Sequence, residues 1–244
     1  MSITSDDSRD REEAFWQQVY EARQAHYEAQ FGPLPNDILK MMNLVGVWPG
    51  GGLYAIPATL LGDSLRVYTT FGLTNPDMPA TITVSNSVTQ TDAQGRPIGT
   101  QGTLQRKESV LPTVPGQPGY GYELMIVTRD EGDWPLWLLQ WAVNAELLND
   151  VGILERVKQY QGLTVEQIGI GGGNAVNIFI APAQPPLPTG FSLPNGEMTL
   201  LVMTTITDDE MQWALEQGRP ALLQRLLQSG IGQVSTLNRR SMLA

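Results

Sequence analysis

The side chains that usually carry catalysis are thinly represented in this chain. It has one histidine, His26, and no cysteine. Thiolate nucleophiles, disulfides and cysteine-based zinc sites are therefore excluded, and too few soft ligands remain for a zinc centre. A Ser-His-Asp arrangement would have to use His26, which sits in a helical pattern, and no G-x-S-x-G elbow is present. Carboxylates are more plentiful. Asp130-Glu131-Gly132-Asp133 offers oxygen ligands without EF-hand spacing, and reads as a solvated turn leading to a helix cap at Asp133. Thr207-Asp208-Asp209-Glu210 has the form of a capping box, so its acids belong to a helix start. Glu123 and Arg129 lie an even number of strand positions apart and could share one sheet face. They are the candidate pair for a carboxylate–arginine cleft. The glycine run at 169–173 lacks both a Gly-Lys-Ser/Thr ending and G-x-G-x-x-G spacing, and a strand-like run follows it. It reads as a flexible turn rather than a phosphate loop. No catalytic residue, cofactor or metal is expected.

The elements that would position these residues alternate irregularly. Residues 1–9 are polar and read as a flexible tail. A helix is expected from Asp10 to about Gln30, with Phe15, Val19, Ala22 and His26 on one stripe and Trp16, Tyr20, Arg23 and Tyr27 beside it. Gly32-Pro33 stops it. A short helix is expected from Asn36 to Met42, then a loop over Trp48-Pro49-Gly50-Gly51-Gly52. Strands are expected over 53–59 and 65–73, with a turn at Gly62-Asp63. Residues 75–119 are rich in Thr, Ser, Gln, Gly and Pro, and Asp92-Ala93-Gln94-Gly95 is a turn signal. A protruding hairpin or long loop is expected there. Tyr122 to Thr128 is a strong strand. The helix after Asp133 begins Trp134-Pro135, where proline is tolerated, and is apolar nearly all round, as in a buried central helix. Trp134, Trp137 and Trp141 share one face of it and suit core packing. Residues 151–175 are mixed. Strands are expected at 176–181 and 198–206, joined by a Pro-rich connection. Helices broken at Gly218 follow to Gln228, and a short run at 233–237 precedes Arg239-Arg240. Short links between neighbouring strands indicate an α+β fold in one domain over 10–244: a mixed, mostly antiparallel sheet packed with helices.

About 41% of the 244 residues are apolar and 16% charged, a globular composition. The formal net charge of -10 disfavours nucleic acid and anionic membranes. No basic-then-apolar leader and no long apolar run is present, so a cytoplasmic protein that does not span a membrane is expected.

Several of these segments carry a resemblance. Phe71-Gly72-Leu73-Thr74, Gly121-Tyr122-Glu123-Leu124, the Trp134-Pro135 helix start, the 200–206 strand with its following acids, and Leu237-Asn238-Arg239-Arg240 occur in the order found in the Suppressor of fused domain family. The resemblance covers about residues 35–243. It implies a single Suppressor of fused-like domain and a non-catalytic, protein-binding role. In animals the family grips a Gli peptide between two domains. Here the second domain is not represented, the position of an acidic residue that the animal domain uses falls near Pro115, and the linker from Asn75 to Pro118 is longer. Gli binding is therefore not carried over. The compact single-domain relatives are bacterial, and some are proposed as immunity proteins that neutralise toxins. The expected partner is another protein, with a basic toxin as the most concrete case. Glu123, Arg129, Trp134 and Arg239 are the candidate partner-binding residues, beside the 75–119 excursion and exposed sheet edges. The alternatives are an enzyme using the Glu123–Arg129 cleft and a homo-oligomeric regulatory subunit.

Overall fold

The computed structural model describes residues 5–36, 42–43, 46–48, 50–62 and 64–243. The first helix, α1 (Ser5–Phe31), starts ahead of the expected Asp10, so residues 5–9 are helical rather than a tail. Its buried positions are Val19, Arg23, Tyr27 and Phe31, one every fourth residue. That spacing is a single stripe down a helix, and Phe15, one step nearer the N-terminus on the same spacing, is exposed. Gly32 ends α1 at φ +102°, with its N–H donating to the Glu28 carbonyl at 3.0 Å. A side chain could not hold that backbone comfortably.

The expected short helix at 36–42 and the turn at Gly62-Asp63 fall mostly or partly outside the described residues. The strands that follow are β1 (Met42–Asn43), β2 (Gly46–Val47), β3 (Gly52–Ile56), β4 (Arg66–Phe71), β5 (Thr81–Thr91), β6 (Pro97–Lys107) and β7 (Tyr122–Thr128). Then come α2 (Trp134–Asn149), α3 (Ile153–Tyr160), β8 (Leu163–Gly169), β9 (Ala175–Pro182), β10 (Gly190–Leu193) and β11 (Gly196–Ile206). The chain closes with α4 (Asp208–Gln217), α5 (Arg219–Gln228) and β12 (Val234–Ser235). The segment 151–175, which had no clear period, holds α3 and β8, and the Pro-rich connection holds β10.

The main sheet runs β3-β4-β7-β11-β9-β8, with β10 on β11 and β12 on β7. Most neighbours are antiparallel. The β7–β11 and β7–β12 pairs are parallel. All seven residues of β7 are buried, as a central strand covered on both faces requires. Tyr122, Leu124 and Ile126 point to the layer formed by α2 and α3. Met125 and Val127 point to α1. On the α1 side, α4 and α5 cover Phe179, Ala181 and Ile206 of the β9–β11 pair. Each fully buried aliphatic side chain contributes about 1.5–3 kcal/mol of transfer free energy. The sheet between two helical layers is thus the main source of stability.

Strands β7 and β11 pair only over Tyr122–Met125 and Thr199–Val202. Beyond that they part, and β12 fills the gap beside Val127 and Thr128. The Ser235 hydroxyl spans it, accepting from the Thr205 N–H at 3.0 Å and donating to the Met203 carbonyl at 3.3 Å.

The excursion forms its own sheet, β1-β2-β5-β6. Strands β5 and β6 pair antiparallel, with irregularities between Ser85 and Val88 and between Gln90 and Thr91. Asp92 builds the turn: its Oδ1 accepts from the backbone N–H groups of Gln94 and Arg96, both at 2.9 Å, and its Oδ2 pairs with the Arg96 Nε at 2.8 Å.

Two details of α2 differ from expectation. The Asp133 side chain makes no cap bond. Its carbonyl accepts from Leu136 at 3.0 Å and Trp137 at 3.3 Å instead. The helix is also not buried all round: Trp134 is covered, but Trp137 stands 53% exposed. An apolar composition cannot tell which side of a helix the sheet will occupy.

Candidate functional site

Glu123 is fully buried, and its carboxylate joins three parts of the chain. Its Oε1 accepts from the N–H of Gly72 at 2.9 Å, the N–H of Thr74 at 3.0 Å, the Thr74 hydroxyl at 2.7 Å and Arg23 Nη1 at 3.2 Å. Its Oε2 accepts from the Thr70 hydroxyl at 2.6 Å. Arg23 is buried too. It lies 4.0 Å over the Phe71 ring and donates to Asn75 Oδ1 at 2.9 Å. The Asn75 amide reaches the Gly50 carbonyl at 2.8 Å. Gly72 is needed for a different reason. At φ +128°, a Cβ there would sit 2.7 Å from the Gly51 Cα and 2.8 Å from the Gly50 carbonyl oxygen. The Phe71-Gly72-Leu73-Thr74 and Gly121-Tyr122-Glu123-Leu124 segments are thus two sides of one polar lock.

A second lock lies on the opposite face. Tyr122 donates to Glu146 Oε2 at 2.6 Å, and Glu146 accepts from the N–H groups of Gly152 at 3.0 Å and Ile153 at 2.8 Å. This fixes the start of α3 against the sheet. Burial, then the Glu146 charge, pushes the Tyr122 phenol well above its ordinary range. Nearby, Asp150 clasps the return leg of the excursion: its carboxylate accepts from Lys107 Nζ at 2.5 Å, the Ser109 hydroxyl at 3.1 Å and the Val110 N–H at 3.0 Å. Burial works against the Asp150 charge, but Lys107 and these donors win and hold its carboxyl below the usual range.

The third lock closes the C-terminal part. Arg239 forms a two-pronged pair with Glu210, with Nη1 at 2.6 Å from Oε1 and Nη2 on Oε2. It also donates to the Thr205 carbonyl at 3.1 Å. Glu210 completes the capping box by accepting from the Thr207 N–H at 3.1 Å, and it takes the Met242 N–H at 2.9 Å.

These placements revise the candidate residues. Glu123 is paired with Arg23 and not with Arg129, which is exposed just past the end of β7. Glu123 has no exposed surface. The carboxylate–arginine cleft expected from strand parity is therefore not formed. Trp134 is buried, so it offers no anchor, and Arg239 is turned inward onto this chain's own carboxylate. Of the four, only Arg129 is open to a partner. Pro135 starts α2 as a buried residue, and Arg240 supplies a carbonyl that Arg239 Nη1 reaches at 3.1 Å. His26 stacks on Phe191 at 4.6 Å, a structural contact.

Sequence reasoning missed Arg23, Glu146 and Asp150 as anchors. A signal existed for the first two. Arg23 falls on the every-fourth stripe between Val19 and Tyr27, and Glu146 interrupts an otherwise apolar helix face. A charge in such a place must find a partner.

The three most exposed of the large apolar side chains among the described residues lie on the excursion, Val88 at 65%, Leu104 at 70% and Val110 at 79%, while Leu60, Trp137 and Leu215 are exposed elsewhere. Strand β6 is terminal in its sheet, so its outer backbone edge is unpaired. Beneath the excursion lies a cleft of about 350 Å³ between its return leg, α3 and Tyr120.

Comparison with known proteins agrees with this geometry. The Suppressor of fused protein family model matches residues 52–240. No curated protein matches the chain. Among solved structures, one from a Sufu–Fu complex superposes with a TM-score of 0.54 at 16% identity, covering 93% of each chain. A protein described as a Suppressor of fused homolog from Neisseria gonorrhoeae gives a TM-score of 0.53 at 15% identity, over 94% of this chain and 97% of that one. Drosophila Suppressor of Fused gives 0.50 at 15% identity, with 93% of this chain spanning 51% of the longer protein. The family match covers most of the sequence. The chain belongs to the Suppressor of fused protein family.

Proposed function

We propose that this chain is a non-catalytic protein-binding module that recognises its partner through the β5–β6 hairpin. The observation that carries this reading is a division of labour among residues. The family segments are consumed by internal locks around Glu123, Glu146 and Glu210. The hairpin leaves apolar side chains and a strand edge open instead. Solvated apolar side chains on a projecting element mark an interaction surface. The matched Sufu–Fu structure, by its own description, is a protein complex. The net charge of -10 favours a basic partner, and a toxin neutralised by binding is the most concrete case.

The test removes the hairpin alone. Thr83 and Gln105 are paired across it, so an Asn-Gly turn can replace residues 84–104. Affinity capture from native lysate at low salt is expected to recover a stoichiometric partner with the intact chain and none with the trimmed one. The captured partner's own activity should fall on stoichiometric addition of the intact chain. A partner held equally well by the trimmed chain, or none held by the intact chain, would refute the reading.

A further inference from the structure

The cleft beneath the excursion combines three features that share one chemical meaning. The first is an unpaired negative charge. Glu146 is fully buried and its oxygens take a phenol and two backbone N–H groups, but it makes none of the ion pairs among the described residues. Those neutral donors stabilise a carboxylate without cancelling its charge, and in a low-dielectric wall that charge projects into the adjoining space. Glu155 adds a second carboxylate, exposed and 3.6 Å from the exposed Lys158.

The second feature is aromatic. Tyr120, Tyr122 and Tyr160 all line the cleft. The faces of such rings attract cations, and Tyr160 already holds the Arg219 guanidinium 5.8 Å from its ring centroid. The third is an apolar wall of Met78, Leu111, Val114 and Leu154. A wall of this kind suits a methylene stem that carries a charged head. The basic residue among the lining groups, Arg156, is tethered at the cleft's edge by its Nε, which donates to the Val151 carbonyl at 2.7 Å.

We propose that this cleft receives an arginine or lysine side chain of the partner protein, with its stem on the apolar wall and its cationic head beside the Glu155 carboxylate and the exposed Tyr160 ring, over the buried Glu146. The inference rests on the protein-binding reading and names the chemistry that the base of the hairpin recognises. A volume of about 350 Å³ accommodates one long side chain with part of its backbone. The position, directly under the excursion, lets one partner touch both.

The test titrates the intact chain with acetyl-Ala-Ala-Arg-Ala-Ala-amide, its lysine counterpart, and a norleucine counterpart that keeps the stem and drops the charge. Amide NMR shifts of Tyr122, Gly152 and Ile153 report occupancy. Saturable shifts are expected with the two basic peptides, and binding about tenfold weaker or more with norleucine, the equivalent of about 1.4 kcal/mol. Glu146 also anchors α3, so the discriminating variants lie at the surface. Val114→Arg, which supplies a guanidinium from the chain itself, should abolish binding, and Glu155→Gln should weaken it. Equal binding by the norleucine peptide, or no saturable shift at these amides, overturns the proposal. Partner capture that survives Val114→Arg yet is lost on hairpin trimming overturns the cleft alone and leaves the module reading standing. Capture that survives trimming overturns the module reading instead.

Discussion

Glu123 and Arg23 are charges that water would hold far more cheaply than a protein interior does. Desolvating each ion costs several kcal/mol, and the pair persists because five donors converge on the carboxylate. The Glu123 oxygens take two backbone N–H groups, two hydroxyls and the guanidinium. Glu123→Gln would leave Arg23 as an uncompensated buried cation and turn an amide donor toward other donors. A loss of about 3–5 kcal/mol is expected in urea unfolding, the range for breaking a buried pair. Glu210 makes a separate prediction about acid. Burial raises its carboxyl pKa, but the Arg239 guanidinium and the Met242 and Thr207 N–H groups outweigh it and hold the carboxyl below its ordinary value. A lowered folded-state value contributes stability above the unfolded pKa, about 4.3 for glutamate, and loses it as pH falls through the folded value. The C-terminal segment should therefore loosen below about pH 4.3. Arg239→Gln should be less stable at neutral pH and show a flatter stability profile over that acid range. Thermal melts from pH 3 to 7 measure both.

At the scale of elements, Asp150 makes three of the contacts that attach the return leg of the excursion. Asp150 sits in the left-handed region at φ 48°, a conformation that asparagine also tolerates. Asp150→Asn thus keeps the backbone and removes the ion pair with Lys107. Faster hydrogen exchange is expected for residues 108–118, with the β7 and β11 amides unchanged. Equal protection of 108–118 in both forms would mean that packing, and not Asp150, holds the strap. The same logic explains β12. A two-residue strand has no stability of its own, and it forms because β7 and β11 diverge and leave backbone groups that Ser235 and its neighbours satisfy.

At the scale of the molecule, charge should govern how the protein meets its partner. A net charge of -10 steers a basic protein toward it over roughly the Debye length, about 10 Å at 0.1 M salt. Association should slow as salt rises from 50 to 500 mM, while dissociation, which the proposed hairpin contacts would set, changes less. Surface plasmon resonance across that series separates the two rates. A salt-insensitive association rate would argue against electrostatic recognition.

The sequence alone determined the α+β class, most strands, the turn at Asp92 within a segment left open between hairpin and long loop, and the capping box at Thr207, because these follow from local periodicity and turn chemistry. It also carried the family resemblance, which the match over residues 52–240 bears out. It did not reveal the purpose of the residues that carry it. Glu123 and Arg129 have the right parity to share a face, but parity says nothing of what lies above it, and α1 brings Arg23 there from 100 residues away. Trp134 and Trp137 are three apart on one helix, yet one is buried and the other exposed, because where α2 sits on the sheet is a tertiary matter. Segment 151–175 stayed illegible because α3 is short and takes its anchor from Glu146 on another helix. Tertiary structure alone decided which charges are locked inside and which surface is left free. Burial sets the energy of a charge, and burial is a property of the packed chain.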